Sequence, residues 1–266
     1  MSSRLAIYRI HYGTDFLRKS IESILPAVDK VIVFISHNPW VVRPTVNYLG
    51  EEIPLMKNPD NPYAYMGEHF IGNPKVVWWD WECNSPRGQF SDMYSHAIHA
   101  LGYMPESVLF MEPDMVFGPN GCEQMFAECG ESDRAARQVE LWKGMDNRVP
   151  ARTRFGPVIY KEHRVPETDF GAISWKSTSV QASHVETYNF GFCVRPEVML
   201  YKHLLAIQFS TAIGDSIPSQ EWYRDKWLNW TPETTDLEIS ENWKSNIKKI
   251  EPYSMSDEMK EFMELK

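Results

Sequence analysis

Residues 30–35, Lys-Val-Ile-Val-Phe-Ile, are apolar at five successive positions with no polar alternation. Neighbouring side chains of a strand point to opposite faces, so a strand with no polar side must be covered on both. That is the condition of a parallel strand flanked by helices, and it rules out a sheet with one wet face. The chain before it fits. Residues 4–10 form a β-rich run, and His11-Tyr12-Gly13-Thr14-Asp15 breaks it. Phe16, Ile21, Ile24, Leu25 and Val28 then recur near helical spacing, with Thr14 as N-cap and Pro26 near the end. Strand, helix and strand in this order join parallel strands.

The same logic carries on downstream. A Pro- and Asn-rich stretch from Pro54 to Pro62 reads as loop, 76–79 as a strand, 89–101 as a helix and 107–111 as a second fully apolar strand. Beyond Gly118 the pattern predicts one helix across 119–142, with Gly130 as a point of interruption, irregular chain over 143–188, and a strand at 188–194. Helices are expected at 196–209 and at 219–230, the latter with Ser219 as N-cap, and a charged peripheral helix in the last 25 or so residues. With 266 residues and 43% hydrophobic content the chain can bury a full core. The expectation is one compact α/β domain with a mostly parallel central sheet. Residues 1–118 form its ligand-binding half, and 119–266 an acceptor-side half with C-terminal helices.

Composition removes several function classes. A net charge of −9 argues against a phosphate-neutralising surface for nucleic acid. No run approaches the roughly 18 apolar residues of a membrane span, and Met1-Ser2-Ser3-Arg4 leads straight into a strand, so a cytoplasmic location is expected. Cys83, Cys122, Cys129 and Cys193 show no CxxC spacing and read as reduced, mostly buried thiols. Trp222, Tyr223, Trp227 and Trp230 stand in polar stretches, which suits either sugar stacking or ordinary packing.

The strongest chemical signal follows the second apolar strand: Leu109-Phe110-Met111 ends abruptly in Glu112-Pro113-Asp114. Two carboxylates one residue apart at a strand end converge when the chain turns, as a hard divalent cation requires. Mg²⁺ or Mn²⁺ held there would bridge diphosphate oxygens and neutralise a leaving group. Ligands of open α/β sheets gather at this edge. The competing reading is a pair of solvated loop acids.

Taken together, Ile7-Tyr8-Arg9-Ile10, the helix with Leu17, Ile21, Ser23 and Ile24-Leu25, and Val28-Asp29-Lys30-Val31-Ile32-Val33 resemble the opening of GT-A glycosyltransferases, especially the family 2-like group. Pro86-Arg87-Gly88 followed by Tyr94-Ser95-His96-Ala97 is similar to their glycine-then-helix segment, and Glu112-Pro113-Asp114 occupies the position of their D-x-D motif. The resemblance covers about residues 4–120 and thins out towards 230. It departs at Glu112, where Asp is usual, and at Ser36-His37-Asn38, where many relatives carry an acid that recognises the base.

What the resemblance implies is a Rossmann-like three-layer sandwich that moves a sugar from a nucleotide diphosphate donor, UDP-linked by family frequency, to a carbohydrate or other hydroxyl acceptor. Glu112 and Asp114 would hold Mn²⁺ or Mg²⁺, with His184 as a further ligand. Arg9, His11 and Ser36 would lie near the nucleotide, and Arg87 or Asp92 would reach ribose or phosphate. Inverting transfer needs a carboxylate base; Glu221, Asp215 and Glu186 are the candidates, and Arg148, Arg152 and Arg154 could close over the diphosphate. Two alternatives stand beside this. A sugar nucleotidyltransferase shares the sheet and acidic site but normally carries a glycine-rich, basic N-terminal loop, whereas residues 10–15 have one glycine and no lysine. A carbohydrate- or nucleotide-binding protein without turnover would keep the fold alone. Sugar, acceptor, stereochemistry and oligomeric state are not legible.

Overall fold

The computed structural model describes residues 3–39, 43–82, 89–130, 132–150, 155–161, 180–213, 217–234, 237 and 249–264. The expected opening is present: β1 (Arg4–Ile10), α1 (Leu17–Ile24) and β2 (Lys30–Ile35), with β1 and β2 parallel and Leu5 opposite Lys30. A 3₁₀ turn at Thr14–Phe16 precedes α1, so Phe16, not Thr14, is the cap residue of the α-helix.

A hairpin follows, β3 (Thr45–Tyr48) and β4 (Glu51–Pro54), joined by Leu49-Gly50 with φ of 53° and 83°. Two central residues at positive φ match the twist of paired strands. Next come α2 (Pro62–Phe70), β5 (Val76–Asp80), α3 (Gln89–Leu101), β6 (Ser107–Met111), β7 (Met115–Phe117) and α4 (Gly121–Glu128). Asn61 caps α2 by accepting from the Ala64 N–H, and Pro62 takes the first helical position, where its missing N–H costs nothing.

The second half differs from expectation. Residues expected to continue one helix to 142 form β8 (Asp133–Trp142), and the expected irregular stretch contains β9 (Asn147–Arg148), β10 (Phe155–Lys161) and most of β11 (Val180–Phe192). Arg134-Ala135-Ala136-Arg137-Gln138 has high helix propensity, but pairing on both edges, with β10 and β11, overrides the few tenths of a kcal/mol per residue at stake. Helix α5 (Pro196–Ile213) runs four residues past its expected end. The expected helix at 219–230 is a π-helical stretch at Trp222–Leu228, and Ser219 bonds the Glu221 carboxylate instead of capping it. β12 (Glu251–Pro252) and the peripheral α6 (Asp257–Glu264) close the chain.

The central sheet runs β5-β2-β1-β6-β10-β8; the first four strands are mutually parallel, β10 runs against β6 and β8, and β11 pairs with β8 and β7. Alternation sorts the core. Ala6, Tyr8 and Ile10 face α1, α2 and α4, whereas Leu5 and Ile7 face α3 through Met93, Tyr94 and Ala97. The result is a mixed α/β domain of three layers. Each fully buried Ile or Leu contributes about 1.5–3 kcal/mol, so Leu17, Ile21 and Ile24 alone suffice to fix α1 on the sheet. Cys122 and Cys129 are buried free thiols and Cys193 a half-buried one, whereas Cys83 lies outside the described residues. Trp222 and Trp227, at 3% and 2% exposure, pack with Trp142 and Phe192, which is the ordinary packing reading. Among the described residues no helix is long and apolar enough to cross a membrane.

Candidate functional site

β1 and β6 run parallel with Tyr8 opposite Met111, so the next residues, Arg9 near the end of β1 and Glu112 just past β6, stand side by side, 4.0 Å apart at their charged ends. Pro113, without an N–H, ends the ladder. The chain turns as the Met115 N–H donates to the Glu112 carbonyl. Beneath the turn, Ser20 of α1 hydrogen-bonds the Met115 carbonyl and the Tyr8 hydroxyl. From the far side, β11 pairs with β7, and the Phe190 N–H donates to the Asp114 carbonyl at 2.8 Å. The carboxylate loop is thus pinned from two elements, α1 and β11, which is the preorganisation a charged site needs.

Glu112 and Asp114 line one cavity of about 130 Å³ together with Arg9, His11, Tyr12 and Lys202. The Lys202 ammonium, from α5, lies 3.5 Å from Asp114 Oδ2, while Asp114 Oδ1 is buried without a hydrogen-bond partner. A side chain at Gly191 would press on this pair: its Cβ would come within 2.8 Å of both Asp114 Oδ2 and Asn189 Oδ1 and 3.0 Å of Lys202 Nζ. Only glycine leaves the room. Burial raises the Glu112 carboxyl above its ordinary value, and the Asp114 charge raises it further against the opposing pull of Arg9 and Lys202. Burial pulls the Lys202 ammonium down, but Asp114, Tyr12 and Glu112 more than offset this and hold it charged.

An orphaned carboxylate oxygen beside a second carboxylate fits a hard divalent cation. Among the described residues no cluster of three or more His, Cys, Asp and Glu side chains could hold one, so the protein would supply Glu112 and Asp114, and diphosphate and water oxygens the rest. His184 does not join them. It is exposed on β11, five residues before Asn189, roughly 16 Å along an extended strand.

His11 forms the wall between this cavity and a second of about 360 Å³, which Ser36, His37, Asp60 and Tyr63 also line. Its Nδ1 must donate to the Ser36 carbonyl, so Nε2 accepts from the Tyr201 hydroxyl, and burial lowers its pKa; it is a fixed neutral imidazole. In the second cavity His37 stacks on Tyr63 at 5.1 Å and bonds Asp80 at 2.8 Å, and the Tyr63 hydroxyl is buried without a partner. Beside it, the Asp60 carboxylate accepts from the Gly13 and Thr14 N–H groups and pairs with Arg195.

The remaining expected residues lie elsewhere. Asp92 accepts from the Trp81 indole at 3.0 Å and does not line either cavity. Glu221 is exposed, bonded to Ser219, and Glu186 is exposed on β11; neither lines the carboxylate cavity. Arg148 pairs with Glu251 and stacks on Tyr253. Arg87, Arg152, Arg154 and Asp215 lie outside the described residues. Tyr12 lines the carboxylate cavity as part of the expected nucleotide-side loop 9–12, whereas Tyr201 and Lys202 were not expected from the sequence. A lone lysine inside the apolar run 198–207 was a usable signal, because lysine is almost never buried without a partner.

These features define a mixed α/β fold with a mostly parallel central sheet and charged groups at the carboxyl ends of its parallel strands. No protein-family model and no curated protein matches the chain. Solved structures similar to it include a 4-diphosphocytidyl-2C-methyl-D-erythritol synthase from Anaerococcus prevotii (12% identity, 75% of this chain and 94% of that one, TM-score 0.41). Others are HddC from Yersinia pseudotuberculosis (10% identity, 77% and 98%, TM-score 0.40) and the inositol-1-phosphate CTP transferase from T. maritima (10% identity, 71% and 86%, TM-score 0.34). At these identities and scores the likeness is too distant to carry a reaction across.

Proposed function

We propose that the chain is a divalent metal-dependent transferase acting on a nucleotide diphosphate-linked sugar, moving the sugar to an acceptor hydroxyl. The observation that carries this is the cavity where Glu112 and Asp114 face Arg9 and Lys202 at the rim of the parallel strands. Mn²⁺ or Mg²⁺ bound by the two carboxylates would supply charge neutralisation for a departing diphosphate. Arg9 and Lys202 are cations within reach of the same oxygens and would hold the diphosphate by charge. The neutral His11 and the ring pair His37–Tyr63 give the adjoining cavity an amphipathic wall suited to a nucleoside; uridine is the base the family resemblance favours.

Nucleotidyl transfer is the second reading, and one observation favours it. Among the described residues lining the carboxylate cavity, Glu112 and Asp114 are the only acids, and attack by an already anionic sugar phosphate needs no further base. Against it stands Asp60, whose carboxylate takes up the Gly13 and Thr14 N–H groups at the head of the first helical turns, where a glycine-rich loop would offer amides to phosphate.

Chromatography of reaction mixtures separates the two. Incubation of the protein with UDP-sugars and Mn²⁺ is expected to release UDP slowly, and Asp114→Ala to abolish that release. Pyrophosphate production from a nucleoside triphosphate and a sugar 1-phosphate, with no UDP release, decides for nucleotidyl transfer. Neither product points to a binding protein of the same fold.

A further inference from the structure

The Lys202 ammonium lies 3.5 Å from Asp114 Oδ2 and donates to the Gly191 carbonyl at 3.3 Å. Oδ1 of the same carboxylate is closed to solvent, although the Asp114 side chain is 15% exposed and lines the carboxylate cavity. A cation entering from the cavity therefore meets Asp114 at Oδ2, the oxygen that Lys202 already faces. We propose that Lys202 is an exchangeable counter-ion, which passes to the donor's diphosphate when a divalent ion takes Asp114. Metal and donor then bind as a pair. The proposal deepens the transferase reading and rests on it.

Charge favours the exchange. With both carboxyls ionised, the lining sets two acids, Glu112 and Asp114, against two cations, Arg9 and Lys202, so the protein balances this site with its own side chains. A divalent ion alone would leave an excess of positive charge and part Lys202 from Asp114, both unfavourable where solvent screens little. A diphosphate cancels that excess and offers the freed ammonium new anionic oxygens. Glu140, outside the lining, also attracts Lys202. The move needs no change of backbone, because a lysine ammonium is a point charge on a flexible stem, and this side chain is 35% exposed. Its helix stays in place through Tyr201, bonded to His11 Nε2, and through buried Val198 and Leu205. Arg9, 16% exposed on a strand paired along both edges, is the fixed cation of the two.

Isothermal titration calorimetry with MnCl₂ and UDP, each alone and each in the presence of the other, tests this on wild type and Lys202→Met. The factor by which UDP tightens Mn²⁺ binding equals the factor by which Mn²⁺ tightens UDP binding. Direct contact between metal and diphosphate contributes to that factor in both proteins, so its ratio between them isolates the lysine. Mn²⁺ alone should bind the variant more tightly, UDP alone should bind both proteins equally, and UDP with Mn²⁺ should bind the variant more weakly. The coupling factor should fall by about tenfold or more. Lys202→Gln serves as a second variant, with melting temperatures to show that each is folded. An equal coupling factor in wild type and both variants overturns the proposal and leaves the transferase reading standing, with Lys202 a fixed partner of Asp114. Wild type that binds no UDP in the presence of Mn²⁺ ends the transferase reading, and the exchange with it.

Discussion

Replacing Lys202 by Met keeps the stem of the side chain and removes the ammonium that faces Asp114. At the observed 3.5 Å, an effective dielectric of about 20 gives a gross attraction of about 5 kcal/mol. The lysine side chain is 35% exposed and Asp114 15%, so solvent screens the pair and part of the desolvation cost is recovered on substitution. The net loss should be about 2 kcal/mol, between a surface pair and a buried one. For a chain of this size that lowers the melting temperature by roughly 4–8 °C. The substitution also leaves Glu112 and Asp114 with less compensating charge, so a divalent ion should bind the variant more tightly than wild type. Mn²⁺ at a hundredfold over its dissociation constant adds about 2.7 kcal/mol and should restore the melting temperature. Differential scanning fluorimetry with and without MnCl₂ reads both numbers. If Lys202→Met melts with wild type, or if Mn²⁺ shifts Asp114→Asn as far as it shifts Lys202→Met, the electrostatic account of the cavity is wrong.

Gly191→Ala should cost about 1–3 kcal/mol in a urea melt, because the new methyl displaces the ends of Asp114, Asn189 or Lys202, and should cut Mn²⁺-dependent UDP release far more than stability alone explains. Burial pushes the His203 imidazole down to about 4, partly opposed by the Gln220 backbone and by Glu221. The folded state then binds fewer protons than the unfolded chain between that value and about 6.5, so this group removes about 3 kcal/mol of stability as pH falls through the window. His203→Phe, with its Tyr48 and Trp222 contacts kept, should flatten the pH dependence of chemical denaturation there; an unchanged slope refutes the assignment. Asp60→Asn should lower stability by about 2 kcal/mol, seen as a thermal shift, since Arg195 loses one of its three charge partners and the Gly13 and Thr14 amides lose an ionised acceptor.

The β1-α1-β2 unit, β5, α3 and β6 were legible because each pattern is local: an apolar run or a helical stripe states its own environment. The same is true of the pairing of Glu112 with Asp114 at a strand end, and both do line one cavity. Helix α2 was readable and overlooked, since Asn61-Pro62 is a start signal in its own right. β8 was not readable from propensity, because its strand state is imposed by partners 20 and 50 residues downstream. Long-range placement likewise decided the site. Lys202 reaches Asp114 only because α5 folds back over the strand ends, and His184 misses it because β11 is extended over thirteen residues. Nothing in the spacing of Glu221 foretold that its helix start would bond within itself at Ser219.

The pairing of β6 with β10 has a consequence for how the chain holds together. Val108, Leu109 and Phe110 receive their second set of backbone partners from Tyr160, Ile159 and Val158, fifty residues further along. A polypeptide stopped at residue 118 would therefore carry a naked apolar edge, ready to dimerise or precipitate. Co-expressed with 119–266, it should instead be rescued by the missing strand, and the nicked pair should elute as one particle.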